Sequence, residues 1–307
     1  MNPAPPSVLV SGRRLEREPL ITFGIPAYNR PELLRATLAG IAAQTGDTDY
    51  EVVVCDDGGR PETAQVVAEF PAERFALYRN QSTLGPVRNW NRCLEMARGR
   101  WVMILHEDDT LYPWYCSLVV PRLRDNLAAI CVRTVQGATP PALTPPIRPA
   151  AVRDYRPLHF IKSSMTPFPG VLFPRELGLS LGGFDERLGP LADYDFWYRL
   201  GCAGRIEVVR SVAAFYRVSD SQWTARTWPA MLRLVHLLRL RIAREQLGRG
   251  PLAKWLARFF TYRTALAYAK RFPEKPAVLG RTLRFKRIPG SFLPSGWVWR
   301  VLKSSAK

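Results

Sequence analysis

Trp101-Val-Met-Ile-Leu-His-Glu-Asp-Asp109 decides the fold. Five apolar residues in a row make a strand buried on both faces, and the polar residues behind them stop it at once. Two earlier stretches have the same form. Leu20-Ile-Thr-Phe-Gly-Ile25 is ended by Pro26, and Glu51-Val-Val-Val-Cys55 runs into Asp56-Asp57-Gly58-Gly59. Helical spacing fills the gaps between them, over 31–43 with Pro31 in the first turn, over 61–70, and over 86–98 up to Gly99. A short strand is expected over 75–79. Strands alternating with helices imply an α/β fold: an open, mainly parallel sheet flanked by helices. Ligands of such sheets bind beyond the carboxyl ends of the strands. Tyr28-Asn29, Asp56-Asp57 and Glu107-Asp108-Asp109 all fall there.

Further along, residues 138–150 hold five prolines and read as a loop or crossover. Structure is expected again near Gly170-Val-Leu-Phe173 and Gly182-Gly-Phe-Asp-Glu186, then a helix over 193–201 and strands over 206–210 and 212–218. The Pro-rich start, residues 1–18, reads as a loose arm. No internal repeat is visible.

The chain has 307 residues, 47% of them hydrophobic and 23% charged, as expected of a globular protein with a full core. Its five scattered cysteines include no Cys-x-x-Cys pair, which argues against a zinc knuckle and fits a reducing compartment. No signal-peptide pattern and no apolar run of membrane-spanning length is present, so a cytoplasmic protein is expected. The net charge of +18 is unevenly placed. Residues 1–223 carry 25 Lys and Arg against 24 Asp and Glu, whereas 224–307 carry 19 against 2. The expected organisation is an arm (1–18), a charge-balanced body (19–223) and a basic helical region (224–307).

Paired carboxylates at a strand end repel each other unless a cation or a proton intervenes. Their oxygens suit Mg²⁺ or Mn²⁺, ions that are readily shared with a ligand's phosphates. One such pair alone reads as loop and N-capping acids; two pairs at corresponding strand ends point to a site. The first turn, Gly24-Ile-Pro-Ala-Tyr-Asn-Arg30, has no Gly-x-Gly-x-x-Gly, and no Walker motif occurs. A phosphate would therefore be held by metal and basic side chains. Arg88 is a candidate, or else a solvated helix arginine.

Six stretches in order resemble the inverting family 2 glycosyltransferases, which have the GT-A fold. They are Ile25-Pro-Ala-Tyr-Asn29, Val54-Cys-Asp-Asp-Gly58, Leu84-Gly-Pro-Val-Arg-Asn-Trp-Asn91, Ala97-Arg-Gly-Arg-Trp-Val-Met-Ile-Leu-His-Glu-Asp-Asp109, Gly182-Gly-Phe-Asp-Glu186 and Asp193-Tyr-Asp-Phe-Trp-Tyr-Arg-Leu200. The resemblance covers about 19–218. It implies a nucleotide-diphosphate sugar donor, a divalent cation, and a glycan or lipid-linked saccharide as acceptor. Pro26, Tyr28 and Asp57 would line the base pocket, with Asn29 and Arg88 also on the donor. Asp108 would lie near the ribose and Asp109 would ligate the metal. Asp193 would take the proton from the acceptor hydroxyl, or simply cap its helix.

Three positions depart from the family pattern. His106 stands where many relatives have the first carboxylate, and it is placed behind the metal or in a structural role. Ala192 replaces an acid beside Asp193. Ser219-Asp220 replace a histidine, so Asp220 joins His106 as an additional candidate ligand after Asp109. These departures keep a second reading open, a nucleotide-sugar-binding or membrane-scaffold protein on the same fold.

In the tail, Arg233, Arg241 and Arg244 share one face of an apolar helix over 228–247. Residues 252–272 mix Trp255, Leu256, Phe259, Phe260 and Tyr262 with Lys254 and Arg258, and Phe292, Trp297 and Trp299 follow. Such helices lie on an anionic membrane surface, or pack on the body with their arginines in water. The first alternative would make the protein peripheral on the inner face of the membrane. No nucleic-acid-binding motif accompanies the charge, so no specific nucleic-acid partner is expected.

Overall fold

In the computed structural model, residues 7–13, 17–146, 151–219 and 223–271 are described. The chain forms two compact units, Met1–Arg156 with Met165–Asp220, and Pro157–Ser164 with Ser221–Lys307. The first contains β1 (Ser7–Ser11), β2 (Ile21–Ala27), α1 (Pro31–Ala42), β3 (Tyr50–Asp56), α2 (Pro61–Ala68), β4 (Phe75–Asn80) and α3 (Pro86–Met96). It continues with β5 (Trp101–Ile104), β6 (Thr110–Leu111), α4 (Tyr115–Val119), β7 (Leu127–Gly137), β8 (Val152–Asp154), β9 (Val171–Pro174), α5 (Arg175–Ser180), α6 (Ala192–Ala203) and β10 (Arg205–Arg217). The second contains α7 (Trp223–Leu247) and α8 (Pro251–Arg271).

Among the described residues the strands form one sheet in the order β1-β4-β3-β2-β5-β9-β7-β10-β6, with β8 paired to β10. Its heart, β4-β3-β2-β5, is parallel throughout. Ala27 lies opposite Asp56 and Gly24 opposite Ile104, so the carboxyl ends of these strands open on one edge. Ile21, Phe23 and Ile25 alternate along β2 and are fully buried, as are Leu34, Leu38 and Ile41 of α1, which repeat every turn. Each such side chain contributes about 1.5–3 kcal/mol by leaving water. Proline opens α1, α2, α3 and α8, where its missing N–H costs nothing.

Three readings change. Within the stretch read as a loose arm, Ser7–Ser11 forms β1, antiparallel to β4. The two strands expected over 206–218 are one, β10, whose register against β7 shifts between Val209 and Val212. And β7, the long strand beside it, was not expected at all.

In the second unit a short 3-10 turn, Pro157–Ile161, packs against α7 with Phe160 and Ile161 buried. Arg239 of α7 is buried too and donates to the Lys162 carbonyl at 3.0 Å. Buried Met231, Leu232, Val235, Leu238 and Ile242 of α7, and Leu256, Phe259 and Phe260 of α8, form its apolar interior. Among the described residues no helix is long and apolar enough to cross a membrane. Phe292, Trp297 and Trp299 lie outside the described residues, as does Asp220.

Candidate active site

The chain leaves β2 through a left-handed turn. Asn29 has φ 60°, a conformation that asparagine tolerates better than most residues. Gly58 passes so close that a Cβ there would lie 2.2 Å from Asn29 Oδ1. A larger residue at Gly58 would displace the Asn29 side chain. The Asn29 oxygen is buried with no hydrogen-bond partner, while Tyr28 beside it is half exposed.

At the end of β3 the two aspartates act differently. Asp56 is fully buried and accepts from the Gly58 and Gly59 N–H groups and from Arg79 Nε at 3.0 Å, fixing the turn. Asp57 accepts from Asn80 Nδ2 (2.8 Å) and from the Leu84 and Gly85 N–H groups (2.7 and 2.9 Å). It thereby ties the β3 end to the start of α3. Asn89 of α3 completes the link, accepting from Asn80 and donating to the Cys55 carbonyl.

Beyond β5 the acid cluster is held from two sides. Glu107 accepts from the Tyr28 N–H (2.9 Å) and from Arg30 Nε (2.7 Å), and Arg30 also donates to Asp108 Oδ2 at 2.7 Å. Burial pushes the Glu107 carboxyl up to about 7, against the opposing pull of Arg30. From the other side, the Arg217 N–H donates to Asp109 Oδ1 (3.0 Å) and its Nε to the Asp108 carbonyl (3.1 Å). Thr37 donates to the Glu107 and Asp109 carbonyls. Asp109 is fully buried, and burial first, then Asp108, holds its carboxyl well above the usual carboxylate range.

His106 lies against Phe168 and Trp90, with ring centroids 4.4 and 5.3 Å away. Burial pushes its imidazole down to about 4, so it is neutral at neutral pH. Phe168 and Trp90 also meet Phe184, and Phe168 meets Trp197 of α6. One aromatic cluster thus joins His106 to the helix that carries Asp193. In the first turn of α6 the Asp193 carboxylate accepts from the Tyr194 N–H at 2.7 Å, and burial pushes it up to about 7. Arg88 pairs with Glu186 at 3.4 Å, linking α3 to the segment ahead of α6.

A divalent cation fits this arrangement. Asp109 Oδ2 is buried and has no hydrogen-bond partner, an expensive state for an ionised carboxylate that a cation or a proton relieves. Donor atoms of His106, Asp108 and Asp109 all lie within 4.8 Å of one another. The structure therefore brings the predicted acids of β5 together with His106, and sets Tyr28, Asn29 and Asp57 on the neighbouring strand ends. Two partners were not anticipated. Arg30 follows Asn29 directly in the first turn, and Arg217 reaches the acids from more than a hundred residues away.

Residues 22–173 match the family model described as "Glycosyl transferase family 2". An uncharacterized protein of Mycobacterium tuberculosis, MT1568, is 31% identical over 228 residues, 68% of this chain and 69% of its own length. Among solved structures, S. aureus TarS in complex with UDP-GlcNAc superposes with a TM-score of 0.60 at 16% identity, covering 79% of this chain and 70% of that one. The mannosyltransferase PcManGT of Pyrobaculum calidifontis, in complex with GDP-Man and Mn²⁺, does so at 0.53 and 19%, covering 92% and 84%. At those identities the likeness is one of fold, the GT-A type of sheet with flanking helices. On the family match and the shared fold together, the chain belongs to glycosyl transferase family 2.

Proposed function

We propose that this glycosyltransferase moves a sugar from a nucleotide-diphosphate sugar to a hydroxyl of a glycan or lipid-linked saccharide, with inversion and with Mg²⁺ or Mn²⁺ bound. The observation that carries the reading is the partnerless Asp109 oxygen inside an acid cluster at the carboxyl edge of a parallel sheet. Tyr28, Pro26, Asn29 and Asp57 surround that edge and would hold the nucleoside, with Arg88 toward the phosphates. The metal would sit on Asp109, beside Asp108, and supply Lewis-acid charge neutralisation for the departing diphosphate. TarS and PcManGT, which share the fold, are described in complex with UDP-GlcNAc and with GDP-Man and Mn²⁺.

Asp193 is the base in this reading. The acceptor oxygen forms a bond to the anomeric carbon as the bond from that carbon to the phosphate oxygen breaks. The hydroxyl proton passes to the Asp193 carboxylate and the nucleoside diphosphate leaves. A carboxyl poised near 7 matches that task, because it is ionised at working pH yet still basic.

The basic region 224–307 would bring the enzyme to an anionic surface on the cytoplasmic side, where lipid-linked acceptors reside. Within α7, Arg233, Leu237, Arg241 and Arg244 are exposed at helical spacing, an arrangement suited to lipid headgroups.

The test is a panel of nucleotide sugars with Mn²⁺ or Mg²⁺, read as release of nucleoside diphosphate and as thermal stabilisation. At least one donor should be hydrolysed slowly in the absence of acceptor, and Asp109→Asn should lose this. Stabilisation without turnover for every donor would favour a binding protein on the same fold. No stabilisation by any nucleoside diphosphate would reject the reading.

A further inference from the structure

His106 has no part in the mechanism above, yet its surroundings are those of a ligand. We propose that His106 binds the metal directly with Asp108 and Asp109, and that this donor set selects a first-row transition ion over Mg²⁺. The inference rests on the metal-assisted reading of the site and specifies its ion.

The candidate donor atoms of the three residues lie within 4.8 Å of one another. Ligands around an ion of this size sit roughly 3 Å apart when adjacent, so an inward adjustment of about an ångström completes the set. Two buried atoms in the cluster have no hydrogen-bond partner, Asp109 Oδ2 and His106 Nε2. Nor do the two side chains satisfy each other, since His106 Nδ1 stands 3.9 Å from Asp109 Oδ2, too far for a hydrogen bond. The His106 Nδ1 atom is nevertheless near enough to Asp109 Oδ2 for one ion to lie between them.

The other acid is already committed. Both Glu107 oxygens are used, one by the Tyr28 N–H and one by Arg30. It therefore anchors the turn after β2 instead of reaching the ion. The His106 ring cannot swing away easily, because Phe168 and Trp90 hold it in place. An imidazole so fixed loses little freedom on binding a metal.

Selectivity follows from the donor atoms. Mg²⁺ demands oxygen ligands and depends on their negative charge, whereas an imidazole nitrogen adds affinity for transition ions along the Irving–Williams order. Arg30 pairs with Glu107 and Asp108, and the Arg217 charge also reaches Asp109, so the three acids offer an ion less than their full charge. A neutral imidazole adds none. The site thus offers Mg²⁺ little charge and offers Mn²⁺ a nitrogen.

The experiment loads the full-length protein, grown with ¹⁵N-labelled histidine, with Mn²⁺ alone and with Mn²⁺ plus UDP or GDP. Pulsed EPR then reads whether a histidine nitrogen is bonded to the ion. A ¹⁵N coupling is expected, and Mg²⁺ should displace Mn²⁺ only at about a hundredfold excess or more. In His106→Asp that preference should fall about tenfold, while His106→Gln should lose the nitrogen coupling. Should either variant fail to fold, the labelled wild type still decides. Mn²⁺ bound without nitrogen coupling overturns the proposal and leaves the glycosyltransferase reading standing. No bound Mn²⁺ under any condition overturns both the proposal and the metal-assisted reading beneath it.

Discussion

A carboxyl that burial holds near 7 is half ionised at neutrality, and Asp193 is in that state. In the proposed role of base it must be ionised, so kcat/KM for transfer should rise about tenfold per pH unit below 7 and level off above it. A rate profile flat from pH 5.5 to 8.5 would remove Asp193 from that role. The same shift has a cost in stability. With a folded value raised above the usual carboxylate range, the protonated form is favoured in the fold, and stability is lost as pH rises from about 4 to about 7. Asp193→Asn should therefore raise the stability at pH 8 by about 1–2 kcal/mol, leave it unchanged at pH 4, and abolish transfer. Thermal melts at the two pH values read this directly. Arg30 makes the converse case. Its guanidinium is the cation shared by Glu107 and Asp108, and Arg30→Gln should destabilise the fold by about 3 kcal/mol in EDTA. Mn²⁺ should then stabilise this variant more than the wild type, because the ion offsets the negative charge that Arg30 no longer balances; equal shifts would refute the shared-cation account. That Asp108 and Asp109 stand together beyond β5 was legible in the sequence, because short acids lie where the backbone places them. Arg30 and Arg217 were not, since a long flexible side chain leaves no trace of its destination in local spacing.

Between α3 and α6 the decisive joint is a pair of reciprocal hydrogen bonds. Asn91 donates to the Phe184 carbonyl at 2.9 Å and accepts from the Phe184 N–H at 2.8 Å, as a strand neighbour would. Gly183 permits the approach: its φ is +65°, and a Cβ there would stand 2.5 Å from Asn91 Oδ1. Arg199 of α6 locks the same turn, donating to the Leu181 and Gly183 carbonyls while paired with buried Asp195. Asn91→Ala leaves two backbone groups to find new partners and should cost about 2 kcal/mol, and Gly183→Ala at least as much. Both should lower kcat/KM in excess of the stability loss, because the joint sets where α6 holds Asp193. Urea unfolding beside kinetics measures the two effects; an unchanged kcat/KM would uncouple the joint from the chemistry. At this scale the parallel strands were readable because burial on both faces makes them continuous apolar runs. Leu127-Ala-Ala-Ile-Cys-Val132 has that form too, but β7 continues through Arg133 and Gln136, where the pattern fades. β1 was hidden for a different reason. It is an edge strand whose Val8, Leu9 and Val10 are all exposed, so no burial period marks it.

At the scale of the whole chain the division of charge between 1–223 and 224–307 is the most prominent feature of the composition. The second unit shows how a basic segment can still fold. Phe160, Leu256, Phe259 and Phe260 are buried, while Arg233, Arg241, Arg244, Arg249, Lys254 and Arg258 are exposed. Glu245 is the one acid among the described residues of α7 and α8, and it pairs with Arg241 at 3.5 Å. Packing inside the unit therefore leaves the positive charge uncompensated, and the alternatives of membrane contact and helix packing are compatible. Near an anionic surface each basic residue contributes about 1 kcal/mol, so half a dozen suffice for association that salt weakens. Exposed Leu237, set between Arg233 and Arg241, adds an apolar contact at the same level. The full-length protein should sediment with vesicles rich in phosphatidylglycerol at low salt and be released at about 0.5 M salt, where the Debye length shrinks to a few ångströms. It should not sediment with phosphatidylcholine vesicles. Replacing Arg233, Arg241, Arg244, Arg249, Lys254 and Arg258 with glutamine should abolish the association while leaving the melting temperature and donor hydrolysis near those of the wild type, because none of these side chains is buried. Equal sedimentation with neutral vesicles, or sedimentation that survives the substitutions, would assign the charge to another partner.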